Sequence, residues 1–405
     1  MVEQGTHKPL VGSSTLPPGT NFLIPMNKLE IQARIAVVVP KYGLVGGGER
    51  FAFEVTERLA RTGRYLMHVF ANRWQAANGS PVIFHKVPMV RFPRSLRPWS
   101  FAWFAQRAIA RERFDLVHSH DRIFRADVFS VHCVPHAGWV REVRRKTSSL
   151  FDQTTTAVER RMIRNGAASR FLPVSSLALE AFCREYQELT GRWEVMTPGV
   201  DVARFASPDR AVCRREIRAR HGIGESEFLL LFVGMNFEVK GLDAIIAALP
   251  KTQAKLLVVG RGNEQKYRDL ARSLGVADAV TFAGTQTTVI ERYYRAADAF
   301  IMLSAFDTFG LVVVEAMAAG LPVIVSGNVG AKDLVVDGEN GFVVADPLDA
   351  DTVAARLSQL LDANRRNAMG AAAQQRALAH DWDAVVKELD GVYQDVLARK
   401  VARTA

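Results

Sequence analysis

The stretch Asp307-Thr-Phe-Gly-Leu-Val-Val-Val-Glu315-Ala-Met-Ala-Ala-Gly320-Leu-Pro322-Val323 decides how this chain is read. Two acids stand eight positions apart with Phe309-Gly310 between them, and an apolar run, Pro322 to Val325, follows the glycine. The pattern predicts a short helix opened by Glu315 and ended at Gly320, set between buried strands at Ala299–Leu303 and Pro322–Val325. Two carboxylates and a helix N-terminus then lie at the carboxyl end of a parallel strand, where open α/β sheets bind ligands. Free N–H groups at a helix start suit a diphosphate, and carboxylates suit sugar hydroxyls. A nucleotide sugar carries both groups.

Outward from this stretch, both halves of the chain read as strands alternating with helices, the pattern of doubly wound parallel sheets. In the first half, Arg34 to Val39 is an apolar, β-branched strand and Gly43 to Gly48 a glycine-rich turn. Glu49 to Arg61 follows as a helix with Phe51, Val55 and Leu59 on one face. Further strands are expected at Leu66–Ala71, Asp115–His118, Ala126–Val131 and Arg170–Val174. The second half continues with strands at Phe228–Val233, Lys255–Val259, Val280–Gly284 and Gly341–Val344, and with helices over Lys240–Leu249 and Glu291–Ala297. The expected organisation is a disordered or loosely attached tail over residues 1–30, a Rossmann-like domain over 31–205, a second over 206–380 and a final helix over 381–405. That helix either caps its own domain or crosses back to the first. Pro198 to Phe205 reads as the linker.

Several side chains near the strand ends have chemistry to offer. Lys240-Gly241 follows the strand that ends at Gly234, where a cation would neutralise a leaving diphosphate. Gly46-Gly47-Gly48-Glu49 lets backbone approach a ligand closely at a helix start. A dinucleotide loop would look similar, but Phe51 stands where its third glycine belongs, and the next strand ends at Asn72 without the acid that binds ribose. This disfavours an NAD-dependent oxidoreductase or epimerase. His118, His120, His132 and His136 fall near successive strand ends, with Asp121 beside His120. No carboxylate or thiolate cluster completes a metal site around them, and Cys133, Cys183 and Cys213 are too far apart to form a disulfide framework.

The segment from Phe232 to Phe342, and more loosely residues 34–380, resembles the retaining glycosyltransferases of the GT-B fold. The signature of that family is an acid-x7-acid motif followed by Ala-Met-Ala-x-Gly-x-Pro-Val, and the likeness is greatest to its lipopolysaccharide-core glucosyltransferase branch, a family 4-like group. The resemblance implies two Rossmann-like domains facing a cleft, with the acceptor on the N-terminal half and the donor nucleotide on the C-terminal half. It implies that Glu315 binds ribose and Asp307 the hydroxyls of the donor sugar. Phe309, Gly310, Leu311, Gly234 and Arg261 complete the nucleotide site, and Lys240 neutralises the diphosphate. Gly46, Gly47 and Gly48 lie beside diphosphate and acceptor in this reading. His132 lies at the donor sugar near the reacting carbon, with His120 and Asp121 as further candidates. The implied reaction keeps the donor's anomeric configuration without a protein nucleophile, and needs no metal or other cofactor. Two positions depart from the usual pattern: Asp307 replaces a glutamate, one methylene shorter, and Met235 stands where an arginine is common. A sugar phosphorylase, which shares the fold, generally needs a much longer chain and a pyridoxal lysine.

At 405 residues the chain has room for two domains of ordinary size. A hydrophobic content of 48% with 23% charged residues is that of a soluble globular protein, and no apolar run approaches the ~20 residues of a membrane span. The first ~30 residues lack the features of a signal peptide, so the expected location is cytoplasmic, or peripheral on the inner membrane. The net charge of +10 is lopsided: residues 1–200 carry +12 and the remainder −2. Within the basic half, Arg91-Phe92-Pro-Arg94-Ser-Leu-Arg97-Pro-Trp99-Ser-Phe-Ala-Trp103 mixes cations with aromatics, and Trp139 to Lys146 and Arg160 to Arg164 add to it. This combination suits an anionic headgroup layer or a phosphorylated glycolipid or saccharide acceptor. A nucleic-acid-binding protein would use similar charge, but no binding module is recognisable and the acid-x7-acid segment would go unexplained, so no nucleic acid is expected. The reaction expected is transfer of a hexose from a nucleoside-diphosphate sugar, UDP-glucose being the first candidate, to a lipid-linked or phosphorylated saccharide. The alternatives are a nucleotide-sugar-binding or nucleic-acid-binding protein without transferase activity, or an NAD-dependent oxidoreductase or epimerase.

Overall fold

The computed structural model describes residues 33–44, 46–167 and 169–404, so the expected tail over 1–30 lies outside the described residues. The first half contains β1 (Ala33–Val38), β2 (Lys41–Tyr42), β3 (Tyr65–Ala71), β4 (Arg73–Trp74), β5 (Ile83–Lys86), β6 (Leu116–Ser119), β7 (Val128–Val131), β8 (Arg170–Pro173) and β9 (Arg192–Trp193). Seven of these form a parallel sheet in the order β5-β3-β1-β6-β7-β8-β9, and β2 pairs with β4 apart from it. The second half contains β10 (Phe228–Met235), β11 (Ala254–Arg261), β12 (Val280–Gly284), β13 (Ala299–Met302), β14 (Val323–Ser326) and β15 (Gly341–Val344). These form a parallel sheet in the order β12-β11-β10-β13-β14-β15.

The sequence dictates this arrangement because the central strands are apolar on both faces. Ile35 to Val38 and Leu229 to Phe232 are buried throughout, as strands covered by helices above and below must be. In each sheet the chain winds outward from its first strand and then returns to the other side of it. The crevice this leaves opens between β1 and β6 in one sheet and between β10 and β13 in the other, at the carboxyl ends of the strands.

The last helix, Trp382–Thr404, packs on the first sheet. Trp382, Val385, Leu389 and Tyr393 enter the core formed with β1 and β3, and Lys400 Nζ holds Asp127 Oδ2 at 2.8 Å. The residues expected as a linker are not open chain: Val200, Val202 and Phe205 are buried, and Val202–Ala206 forms a short helix. Val200 N donates to His380 O at 3.1 Å, so the two crossings between the halves run side by side. A Cβ on Gly199 would lie 2.9 Å from the Trp382 ring, and only glycine admits that contact.

The arginine and tryptophan segment of the first half turns out to be a helix, Arg97–Ile109, with Pro98 in its first turn. Its residues sort by face. Phe101, Ala102, Ala105 and Ile109 are core, whereas Trp99 and Trp103 are exposed.

Candidate active site

The site grows from the carboxyl ends of β10 and β13. After β10 the chain makes a turn in which Lys240 N donates to Asn236 O at 3.3 Å, and Gly241 then adopts φ 73°. A Cβ there would lie 2.0 Å from Leu303 O, so glycine is required for the turn to seat against the end of β13. The close approach lays Lys240 over the following loop, where its Nζ pairs with Asp307 Oδ2. The other oxygen, Asp307 Oδ1, accepts from Phe309 N at 3.2 Å. Both carboxylate oxygens of Asp307 are thus engaged, one by the cation and one by its own loop.

Gly310, at φ 90°, caps the helix Leu311–Ala318. The first N–H groups of a helix have no partner within it, and here they belong to Leu311 and its neighbours. The structure corrects one expectation: Glu315 does not open this helix but lies one turn inside it. Its side chain is 12% exposed, and both oxygens are bonded. Tyr294 Oη donates to Oε2 at 3.0 Å, and Arg50 Nη1, from the opposite half of the chain, donates to Oε1 at 3.1 Å. Burial pushes the Glu315 carboxyl up, while the Arg50 guanidinium and the Tyr294 hydroxyl oppose it.

The opposite wall is the start of the helix Gly47–Arg61, where Gly46, at φ 149°, is the capping residue. A Cβ on Gly47 would stand 3.8 Å from Leu311 Cδ1, and one on Gly48 would stand 3.0 Å from His132 Cγ. Two helix starts therefore face each other across the cleft, and the space between them is a cavity of about 400 Å³. Gly47, Gly48 and His132 line one side, and Gly234, Met235, Lys240 and the run Asp307 to Val312 line the other. At its edge the halves are tied directly, Ser175 Oγ donating to Thr308 O at 2.6 Å and Ser176 Oγ to Asp333 Oδ1 at 2.5 Å.

Behind His132 lies a second cavity, of about 460 Å³, lined by Lys41, Glu49, His120 and Asp121 among others, and sharing Gly48 and His132 with the first. Three histidines form a ladder between this cavity and the core. His118 holds Tyr393 Oη at 2.7 Å and Ser130 Oγ at 2.9 Å, and His120 Nδ1 lies 3.2 Å from His132 Nε2. Burial lowers the pKa of His132 to about 4 and of His118 to about 3, and carries His120 well below its usual value, so all three are neutral near pH 7. His120 Nε2 is buried without a hydrogen-bond partner. Burial raises the Asp121 carboxyl, opposed by the neighbouring Arg122. His136 is spent elsewhere, its Nε2 bonded to Asp152 Oδ1 at 2.9 Å.

Most residues singled out from the sequence converge here: Gly47, Gly48, His132, Gly234, Lys240, Asp307, Phe309, Gly310 and Leu311 at the first cavity, with Gly46 capping the helix behind it, and His120 and Asp121 at the second. Arg261 does not join them; it is exposed at the end of β11 and absent from the cavity wall. Glu315 is beside the cavity rather than on its surface. Arg50 and Tyr294 were not foreseen, although Arg50 directly follows the glycine turn and Glu49. Among the described residues, no three His, Cys, Asp or Glu side chains gather as metal ligands.

Comparison with known proteins agrees with this geometry. Residues 45–204 match the profile of Glycosyltransferase Family 4, and residues 213–376 that of Glycosyl transferases group 1. The lipopolysaccharide glucosyltransferase WaaG of Escherichia coli (strain K12) is 26% identical over 328 residues, covering 78% of this chain and 86% of that protein. A crystal structure of WaaG, described as a glycosyltransferase involved in lipopolysaccharide biosynthesis, superposes with a TM-score of 0.73 at 24% identity, covering 89% of this chain and 99% of the other. Anabaena HepE, solved in complex with UDP-glucose, superposes with a TM-score of 0.68 at 18% identity, covering 90% of this chain and all (100%) of the other. Two facing Rossmann-like domains, matched almost end to end by these two profiles, place the chain among the GT-B glycosyltransferases of the group 1 and family 4-like type.

Proposed function

We propose that this glycosyltransferase moves a hexose, with retention, from a nucleoside-diphosphate sugar to a lipid-linked or phosphorylated saccharide such as a lipopolysaccharide core. The observation that carries the reading is the wall of Gly48 and His132 shared by two cavities. One cavity has Lys240 and a helix start for a diphosphate. The other has Lys41, His120 and Asp121 for the hydroxyls of an acceptor. A sugar linked to the diphosphate at Leu311 and lying along His132 would bring its anomeric carbon to the boundary between them.

In this reading the diphosphate takes the N–H groups at Leu311 and the charge of Lys240, which stabilises the negative charge growing on the leaving group. Ribose hydroxyls donate to Glu315. Neutral His132 offers one ring nitrogen to a sugar hydroxyl, with His120 fixing its orientation. Asp307 is the one carboxylate among the described residues lining the donor cavity, and both its oxygens are engaged. With Asp307 engaged in this way, the reading favours a same-face route, in which a donor phosphate oxygen takes the acceptor proton, over double displacement through that carboxylate. Charge neutralisation is assigned to Lys240 rather than to a divalent metal, and turnover unaffected by a chelator is the expected result.

UDP-glucose is the first donor to test, supported by the glucosyltransferase relative and by the complex of HepE. The acceptor assignment, and peripheral binding on the cytoplasmic face of the inner membrane, rest on the basic half of the chain. Phe92 is 87% exposed and Leu150 69%, with Trp99, Trp103, Arg91, Arg94 and Arg107 nearby in sequence or on the same helix. No helix among the described residues is long and apolar enough to cross a membrane. Calorimetric titration with UDP, GDP, ADP and TDP tests the donor site. Selective binding of UDP supports the reading, and binding of none of the four overturns it. Flotation with vesicles containing anionic phospholipid tests the membrane part, which fails if the protein shows no preference for them over neutral vesicles.

A further inference from the structure

The donor cavity is short of positive charge. Among the described residues lining it, Lys240 is the one side chain with a fixed positive charge, and it is already paired with Asp307. Met235, at the end of β10, faces the same cavity with 54% of its surface exposed and brings no charge. A nucleoside diphosphate brings more than one negative charge into a site of reduced dielectric, where an uncompensated charge is costly.

An additional cation reaches this part of the cleft from the other half of the chain. Arg50 is one helical turn beyond Gly46, its N–H donating to Gly46 O at 3.0 Å, so it rises directly from the glycine wall. Its Nη1 bonds Glu315 Oε1 across the cleft, and its Nε lies 3.8 Å from Glu54 Oε1 on its own helix. Glu315, in turn, is one turn beyond Leu311. The guanidinium is therefore positioned one turn along from both helix starts that bound the diphosphate space. Its partner oxygen is the one a ribose would claim, because Oε2 is held from the core side by Tyr294.

We propose that Arg50 is the second cation of the donor site, its guanidinium moving from Glu315 to the diphosphate as ribose hydroxyls take its place on that carboxylate. This rests on the donor-site reading given above and adds a diphosphate-binding residue from the acceptor half. The exchange keeps Glu315 compensated in both states: by a guanidinium before binding and by two hydroxyl donors after it. It also links the two halves through the ligand, since the diphosphate is then gripped by Lys240 from one side and Arg50 from the other.

The test compares UDP with uridine, which has the ribose but no diphosphate, by calorimetry on the full chain and on Arg50→Ala and Arg50→Lys. Arg50→Ala should bind uridine more tightly because its competitor for Glu315 is gone, and should lower the ratio of UDP to uridine affinity about tenfold or more, the loss of one charge-assisted contact to the diphosphate. Arg50→Lys should recover part of the UDP affinity. Adding Met235→Arg to Arg50→Ala should restore UDP binding by more than Met235→Arg adds to the wild-type chain, because there Arg50 already supplies the charge. An unchanged ratio of UDP to uridine affinity in Arg50→Ala, or an equal gain from Met235→Arg with and without Arg50, would each overturn the proposal. Failure of the wild-type protein to bind UDP at all would instead overturn the donor site itself.

Discussion

Glu315 offers a perturbation whose effects on stability and on binding separate cleanly. In Glu315→Ala the hydroxyl of Tyr294, a fully buried residue, loses the acceptor it meets at 3.0 Å. An unsatisfied buried hydroxyl costs about 1–3 kcal/mol, so a comparable loss of folding stability is expected. Arg50, a third exposed, regains water when released and adds little to that loss. In Glu315→Gln the carboxamide oxygen still accepts from Tyr294. The variant gives up the pair with Arg50 but also avoids burying a charge, and its stability should lie within about 1 kcal/mol of wild type. For binding, hydrogen bonds from ribose to a carboxylate are worth about 1.5–3 kcal/mol each. One of them only replaces the bond that Arg50 makes in the empty site. The net loss on removing the carboxylate is then about 1.5–3 kcal/mol, which weakens UDP by a factor of about 10–100. Urea unfolding followed by calorimetric titration with UDP reads both quantities. A folded Glu315→Ala that binds UDP as tightly as wild type refutes the assignment of Glu315 to ribose.

Other perturbations act on different parts of the site. Burial holds His118 at about 3 and His132 at about 4, against 6.5 in the unfolded chain. Below pH 6.5 the unfolded chain takes up protons that these folded rings refuse. Their contribution to stability is therefore complete above about pH 6.5 and is lost as the pH falls toward 4, by up to about 1.4 kcal/mol per unit for each histidine. Denaturation between about pH 7 and 5 should show this slope, and His132→Gln should reduce it; an unchanged slope in the variant contradicts the burial of that ring. Gly48→Ala places a methyl group 3.0 Å from His132 Cγ on a wall of the donor cavity, so turnover should fall at least tenfold beyond any loss of UDP affinity. Unimpaired turnover there removes His132 from the reaction. Trp382→Ala empties the joint between the last helix and Gly199, at about 3–5 kcal/mol of stability, measured by the denaturation midpoint.

The two sheets were legible because their central strands are buried on both faces and therefore read as unbroken apolar runs between turn signals. Strands such as Val280–Gly284 and Gly341–Val344 lie where the sequence puts them. The start of the helix at Leu311 was misplaced by four residues because its cap is Gly310, which has no side chain to announce it, whereas Glu315 resembles an acidic first-turn residue. Pro198-Gly199 has the composition of an open linker, and only the ring of Trp382, far along the chain, reveals why it is packed. The helix Arg97–Ile109 carries an apolar stripe at Phe101, Ala105 and Ile109, but Arg97, Trp99, Trp103 and Arg107, interspersed with it, mask that period. At the site, residues on one continuous motif were found, among them Lys240, Asp307, Gly310 and the glycine turn. Arg50 and Tyr294 were not, because each acquires meaning only by meeting Glu315 across 265 and 21 residues of chain, respectively.

A structure of the protein with UDP-glucose bound is the decisive measurement. The diphosphate should lie between Gly47 and Gly48 on one side and Gly310 and Leu311 on the other, within hydrogen-bond reach of Lys240, with ribose on Glu315 and the glucosyl group against His132. A nucleotide found in the cavity behind His132, or bound without contact to Lys240 and Glu315, would contradict the assignment of donor and acceptor sides.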